Sequence, residues 1–244
     1  MKRIDVLLAE KGLAKSRTAA AAFIKEGRVR VNGNAVLKSS ELFEEECEIA
    51  VEYPEKVFVS RGGIKLERAL TEFGVSPKDK VCLDIGASTG GFTHCLLMHG
   101  AKKVYAVDSG TDQLDKSLKA DTRVVSRENV NARYIKKTDF PETIELIVMD
   151  VSFISQTLLY PAAADILPSG GVMITLVKPQ FESALRQRHK NGVIKDKDGK
   201  NAGIVLERIR SSAAEHGFRL TRTAVSPITG GDGNTEYLAA FIKE

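Results

Sequence analysis

The chain has 244 residues, 43% of them hydrophobic and 28% charged, and a net charge of +4. This is the composition of a soluble globular protein, too long for one small domain and too short for two full ones, so a main domain with an appendage is expected. No window approaches 18 apolar residues, which argues against a membrane-spanning helix, and Cys47, Cys82 and Cys95 offer neither a disulfide framework nor a zinc site, which fits a reducing cytosol.

Charge is unevenly spread. Residues 1–38 carry nine Lys/Arg against three Asp/Glu, whereas residues 39–55 carry seven acidic residues and no basic one. A compact basic segment suits an anionic partner, nucleic acid above all, or else marks a solvated helix face. The charged start of the chain is not read as a leader peptide, because Asp5 and Glu10 interrupt its apolar stretch.

In chain order, Ile4, Leu7 and Leu8 fall at helical spacing and Gly12 closes that helix. Ser16 is placed to cap a second helix over 17–26, which Gly27 ends. In "RVRVNGNAV", Val29 and Val31 alternate with Arg28 and Arg30, and Asn32-Gly33 signals a tight hairpin. Two short helices and a hairpin bury little surface, so this unit is expected to bind rather than catalyse. The stretch "GLAKSRTAAAAFIKEGRVRVNGNAV" resembles an S4 domain, a small α+β RNA-binding module. The resemblance implies that Arg3, Lys11, Lys15, Arg17 and Arg28 grip RNA phosphates, which orients RNA without reading its sequence.

The S4-type domain is expected over 1–55, a linker over 56–63 and a second domain over 64–244. Ile64, Leu66, Ala69, Leu70 and Phe73 mark an amphipathic helix that stops at Gly74. From residue 81 the pattern alternates. Strands are expected at 81–85, 104–107, 124–126, 144–149, 172–177, 220–224 and 237–242, with helices near 91–99, 111–119, 155–166 and 202–216. Such alternation predicts an α/β fold with a doubly wound, seven-stranded, mostly parallel sheet. Ligands in these folds bind beyond the carboxyl ends of the strands. The strand-ending residues Asp84, Asp108, Asp150 and Lys178 are therefore the candidates for chemistry.

The loop "LDIGASTGGFT" follows the first strand of the sheet. Gly86, Ala87, Ser88, Thr89, Gly90 and Gly91 are expected to line a ligand site, with Gly90-Gly91 opening a helix toward it. The dinucleotide fingerprint fails, because no glycine lies two residues after Gly86. Asp108, 22 residues on, stands where a carboxylate accepts ribose hydroxyls. Asp84, Gly86 and Asp108 together favour a nucleoside ligand, S-adenosylmethionine before NAD. The order of "VSRGGIKL", "DIGASTGGFT", "MDVSFIS", "LVKPQFE" and "GNTEYL" behind an S4 segment resembles the TlyA family. These are S4-plus-FtsJ-like ribosomal RNA 2′-O-methyltransferases, some of them labelled haemolysins. The domain is then a Rossmann-like S-adenosylmethionine-dependent methyltransferase. One departure is Ser109, where the family commonly carries a small apolar residue.

The resemblance implies a catalytic tetrad of Lys65, Asp150, Lys178 and Glu236. Asp150 and Lys178 end neighbouring strands, and Glu236 starts a last strand that runs antiparallel in this fold. Lys65 is placed only by the resemblance. A ribose hydroxyl is a poor nucleophile until deprotonated, so methyl transfer needs a base and in-line positioning rather than a metal. Lys178 is expected to be that base, although a free lysine titrates near 10.4. Lys65 is expected to orient the ribose and favour a neutral Lys178, with Asp150 and Glu236 balancing the charges. Phe153 is expected either to pack on the adenine or to fill the core. Loop 185–201, with Arg186, Arg188, Lys190, Lys195, Lys197 and Lys200, is read as an RNA clamp or a solvated loop, and Arg133 as a further RNA contact. His94, His99, His189 and His216 do not form a ligand set. A cytoplasmic enzyme acting on ribosomal RNA or ribosomal subunits is the expectation, a cytidine its target. Transfer RNA as substrate, a pore-forming protein and a non-catalytic assembly factor are the alternatives.

Overall fold

In the computed structural model the described residues are 1–53, 58–182, 200–231 and 233–244. The chain divides into two compact units, Met1–Val57 and Phe58–Glu244.

The first unit holds β1 (Lys2–Arg3), α1 (Ile4–Glu10), α2 (Arg17–Lys25), β2 (Val29–Val31), β3 (Asn34–Ala35), β4 (Leu42–Phe43) and β5 (Ile49–Val51). Ser16 caps α2 by accepting from the Ala19 amide at 3.2 Å, the interaction expected of a serine with extended backbone before a helix. The β2–β3 hairpin turns at Asn32 (φ 49°) and Gly33 (φ 79°), both left-handed as a type I′ turn requires. Ile4, Leu8, Ala20, Ile24, Val29, Val31 and Val36 form its small core.

The second unit begins with α3 (Gly62–Phe73), then β6 (Val81–Ile85), α4 (Gly91–Met98), β7 (Lys103–Val107), α5 (Lys116–Lys119), β8 (Val124–Arg127), β9 (Leu146–Met149), α6 (Tyr160–Ile166), β10 (Val172–Val177), α7 (Pro179–Glu182), α8 (Lys200–Glu215), β11 (Phe218–Val225) and β12 (Tyr237–Lys243). Among the described residues, seven strands form one sheet in the order β11-β12-β10-β9-β6-β7-β8. β12 runs antiparallel to both neighbours, and the pairs from β10 to β8 are all parallel. Alternate residues of each strand point to opposite faces. On one face Leu83, Ile147 and Met173 pack with Tyr160, Val205 and Ile209 of α6 and α8. On the other, Cys82, Val148 and Ile174 pack with Leu66, Leu70, Cys95 and Leu96 of α3 and α4. Helices thus cover both faces of the sheet, as a parallel sheet requires.

Register fixes what lies at the carboxyl rim. Val177 pairs with Tyr237 across β10 and β12, so Lys178 leaves one strand beside the point where Glu236 enters the next. Asp150 follows Met149, which pairs with Ile85 and Thr175. The expected helix over 111–119 is a correction: only residues 116–119 are helical, and Asp112 is left-handed. The Glu128 carboxylate accepts from the amides of Asp112, Gln113 and Leu114 and holds that segment as a turn. Segment 155–166 likewise opens with a 3₁₀ turn, Gln156–Leu159, before α6.

Candidate active site

The loop after β6 folds back on the sheet. The Gly86 and Ala87 amides donate to the Val107 carbonyl at 2.9 and 3.1 Å, and Gly86 takes φ +81°. A Cβ there would stand 2.5 Å from the Asp150 carbonyl oxygen, so only glycine lets the loop pass this close to the end of β9. Gly90 caps α4, and Gly91 begins it. Two non-glycine residues near the strand ends, Ser88 (φ 47°) and Phe153 (φ 66°), are left-handed without being Asn or Asp. Such backbone costs about 1–3 kcal/mol per residue and concentrates at functional sites.

A cavity of about 360 Å³ opens beside this loop, walled by Gly86, Asp108, Ser109, Ala132 and Phe153 among others. Asp108 accepts from the Ser88 amide at 2.8 Å through one oxygen and from the Gly110 amide at 2.7 Å through the other. Each oxygen keeps a further lone pair, so the carboxylate retains room for two adjacent hydroxyls. Val107, Val130, Val151 and Leu159 supply apolar wall. A carboxylate at one edge and an aliphatic lining at the other fit a nucleoside. Asp84, by contrast, lies wholly buried beneath the loop. Burial pushes its carboxyl up to about 7, against the Thr93 hydroxyl donating at 2.7 Å and with the help of the nearby Asp150 charge.

A second cavity of about 310 Å³ shares Gly86, Ser88, Asp150 and Ser152 with the first and adds Arg61, Lys65 and Lys178. Two ion pairs meet there. Lys178 Nζ lies 2.6 Å from Asp150 Oδ1 and donates to Ser152 Oγ at 2.8 Å. Lys65, on α3, donates to Glu236 Oε2 at 2.5 Å, with only 10% and 3% of the two side chains exposed. Buried charges persist where they are paired. Glu236 is seated by Gly230, where a Cβ would stand 2.6 Å from Oε1. The four residues expected as a tetrad are therefore two ion pairs at one rim of the sheet.

Phe153 is 79% exposed, its ring against Phe181 at 5.3 Å, which corrects the core alternative. Of the basic residues in the first unit, Arg3 and Arg17 both reach the buried Asp5, and Arg28 pairs with Glu26. Lys11, Lys15 and Arg133 are exposed. Arg186 and Arg188 lie outside the described residues, as does most of the proposed clamp. Lys200 and Asn201, its last two residues, belong to α8.

Sequence reasoning passed over Ser152 and Glu182, although both stand in the motifs it singled out. Glu182 accepts from Ser155 Oγ at 2.6 Å and from the Gln156 amide at 2.8 Å. It therefore ties the turn after Lys178 to the loop after Asp150. Burial holds its carboxyl above the ordinary range.

The FtsJ-like methyltransferase family matches residues 58–243, and the S4 domain matches residues 2–48. The 16S/23S rRNA (cytidine-2′-O)-methyltransferase TlyA of Mycobacterium tuberculosis is 37% identical over 96% of this chain and 87% of its own. The chain belongs to the TlyA family. Hemolysin A of Brachyspira hyodysenteriae is 44% identical over 98% of this chain and 99% of its own. A solved structure named "Putative hemolysin from Streptococcus thermophilus" superposes with TM-score 0.77 at 42% identity, covering 99% of this chain and 88% of that one. As a member of this family the protein is an S-adenosylmethionine-dependent methyltransferase. The cavity at Asp108 suits the adenosine of that donor, and the shared wall at Gly86 and Ser88 leads to the lysines.

Proposed function

We propose that the protein methylates a ribose 2′-hydroxyl of ribosomal RNA, a cytidine in keeping with its named TlyA relatives, with the S4 unit docking the RNA. The observation that carries this reading is a cavity lined by Lys65, Asp150 and Lys178, both lysines held by carboxylates, next to a second cavity with the Asp108 carboxylate at one edge and an apolar wall. Asp108 and the glycine loop would hold the donor, which supplies an activated methyl on a sulfonium. Lys178 Nζ takes the 2′-hydroxyl proton as the oxygen bonds the methyl carbon and the carbon–sulfur bond breaks. Asp150 holds Lys178 in place. Because Glu236 neutralises Lys65, the part of Lys65 is to hold the ribose rather than to set the charge of Lys178. Arg3, Lys11, Lys15, Arg17, Arg28 and Arg133 are assigned to RNA phosphates. They set affinity and its salt dependence, not sequence choice.

The haemolysin label of some relatives finds no support in membrane-spanning segments: among the described residues no helix is long and apolar enough to cross a bilayer. The test is transfer of tritium from labelled S-adenosylmethionine to ribosomal subunits. Lys178→Ala should abolish transfer while leaving donor binding within about twofold by calorimetry. Wild-type turnover in that variant, or no transfer to either subunit by the native protein, overturns the reading.

A further inference from the structure

Lys178 Nζ touches two groups on the loop that leaves β9: the Asp150 carboxylate at 2.6 Å and the Ser152 hydroxyl at 2.8 Å. Ser152 also belongs to the wall shared by both cavities. It precedes the left-handed Phe153, so the chain reverses next to it and the loop is not free to slide along the strand. Glu182 holds the same loop from behind, through Ser155 and Gln156. The hydroxyl is thus fixed relative to Lys178 from two sides.

We propose that Ser152 is a positioning residue that aims the lone pair of Lys178 at the ribose hydroxyl. This rests on the assignment of Lys178 as the base. A neutral amine has two N–H bonds and one lone pair in a tetrahedral arrangement about nitrogen. The Asp150 contact is an ion pair off the hydrogen-bonding axis, so the Ser152 hydrogen bond sets how the amine is turned about Cε–Nζ at the wall of the cavity. Asp150 alone leaves the amine free to rotate about the Cε–Nζ bond, and the lone pair is then misdirected most of the time. Rotational freedom of this kind costs rate, not donor affinity, because it is removed only on the way to proton transfer. Upon proton transfer the 2′-O–H bond breaks and a third N–H forms on Lys178, while Ser152 keeps its N–H and the Asp150 carboxylate balances the new charge.

Ser152 is exposed and carries no core packing, so Ser152→Ala leaves the fold intact. The experiment compares native protein, Ser152→Ala, Ser152→Thr and Lys178→Ala in the tritium assay on ribosomal subunits, with donor binding measured by calorimetry. Ser152→Ala should lower kcat about tenfold, with KM and Kd for S-adenosylmethionine within about twofold of native. Ser152→Thr, which keeps the hydroxyl, should recover kcat to within about threefold of native. Native kcat in Ser152→Ala, with Lys178→Ala silent, overturns the proposal and leaves the base assignment standing. Turnover by Lys178→Ala overturns the base assignment itself. A raised donor Kd at unchanged kcat in Ser152→Ala also overturns the proposal, since the serine then serves the donor and not the lysine.

Discussion

Lys65 and Glu236 are 171 residues apart in sequence and form the most enclosed ion pair at the site. Replacing Lys65 by Met keeps a good helix former of similar length in α3 but leaves the Glu236 carboxylate buried without its cation. Loss of one partner from a buried pair costs about 3–5 kcal/mol, far more than the pair contributes relative to an apolar substitute. For a domain of this size each kcal/mol moves the melting temperature about 2–4 °C, so Lys65→Met should melt about 6–20 °C lower. Glu236→Gln should fall less, because the amide still accepts from Lys65 yet leaves its charge uncompensated. The double variant removes both charges and should regain most of the loss, giving a coupling energy of about 2–4 kcal/mol in the cycle. Activity follows a different order: all three variants lose ribose methylation, the double variant included, because stability returns without the ammonium. Calorimetric melting of the four ligand-free proteins at one pH and salt concentration, with the tritium assay alongside, reads both. Single variants that melt within 1–2 °C of native would show the pair to be effectively solvated, and the burial argument would fail.

Three further outcomes follow from other contacts. Asp84 titrates near 7 when folded and near 3.8 when exposed, so its contribution to stability is full below about pH 4 and is lost as pH rises through 7. By linkage the native protein should lose up to about 4 kcal/mol across that window. Asp84→Asn should flatten the slope in urea titrations at stepped pH, and an unchanged slope refutes the assignment. In the S4 unit, Asp5→Asn removes a negative charge from a basic face yet should weaken RNA binding severalfold, since Asp5 holds Arg3 and Arg17 in place. Tighter binding in a filter assay at 100 mM salt refutes that. Gly230→Ala should push the Glu236 carboxylate off Lys65 and lower kcat without raising the donor Kd; equal kcat refutes the close approach.

The strands were legible because buried parallel strands are written as apolar runs bounded by turn residues, and the run at 172–177 is also the strand observed. The signals that failed were those decided across the sheet. Residues 111–114 are expected to be helical, but one carboxylate 14 to 16 residues away takes three of their amides and forms a turn. Likewise Phe153 is open to the adenine or the core in the sequence, because residue type does not decide between them, and in the fold it is exposed.

Legibility at the site divides the same way. Asp150, Lys178 and Glu236 stand at strand ends, so topology alone brings them to one rim. Lys65 comes from a helix that precedes the sheet, and no strand-end argument reaches it. The glycines before it explain its place. A Cβ on Gly91 would lie 2.2 Å from Ser60 Oγ and 2.9 Å from the Gly63 amide nitrogen, and one on Gly63 would overlap Phe58. The start of α3 therefore packs closely against Gly91 at the start of α4, beside the Ser60 hydroxyl. Lys65 stands two residues beyond Gly63, less than one helical turn along α3. Its position at the cavity thus follows from the close approach of α3 to Gly91, a contact separate from the one at Gly86 that brings the loop to β9. Gly63 and Gly91, which stand in what look like two separate breaks in the sequence, belong to one contact that places α3, and with it Lys65, at the cavity.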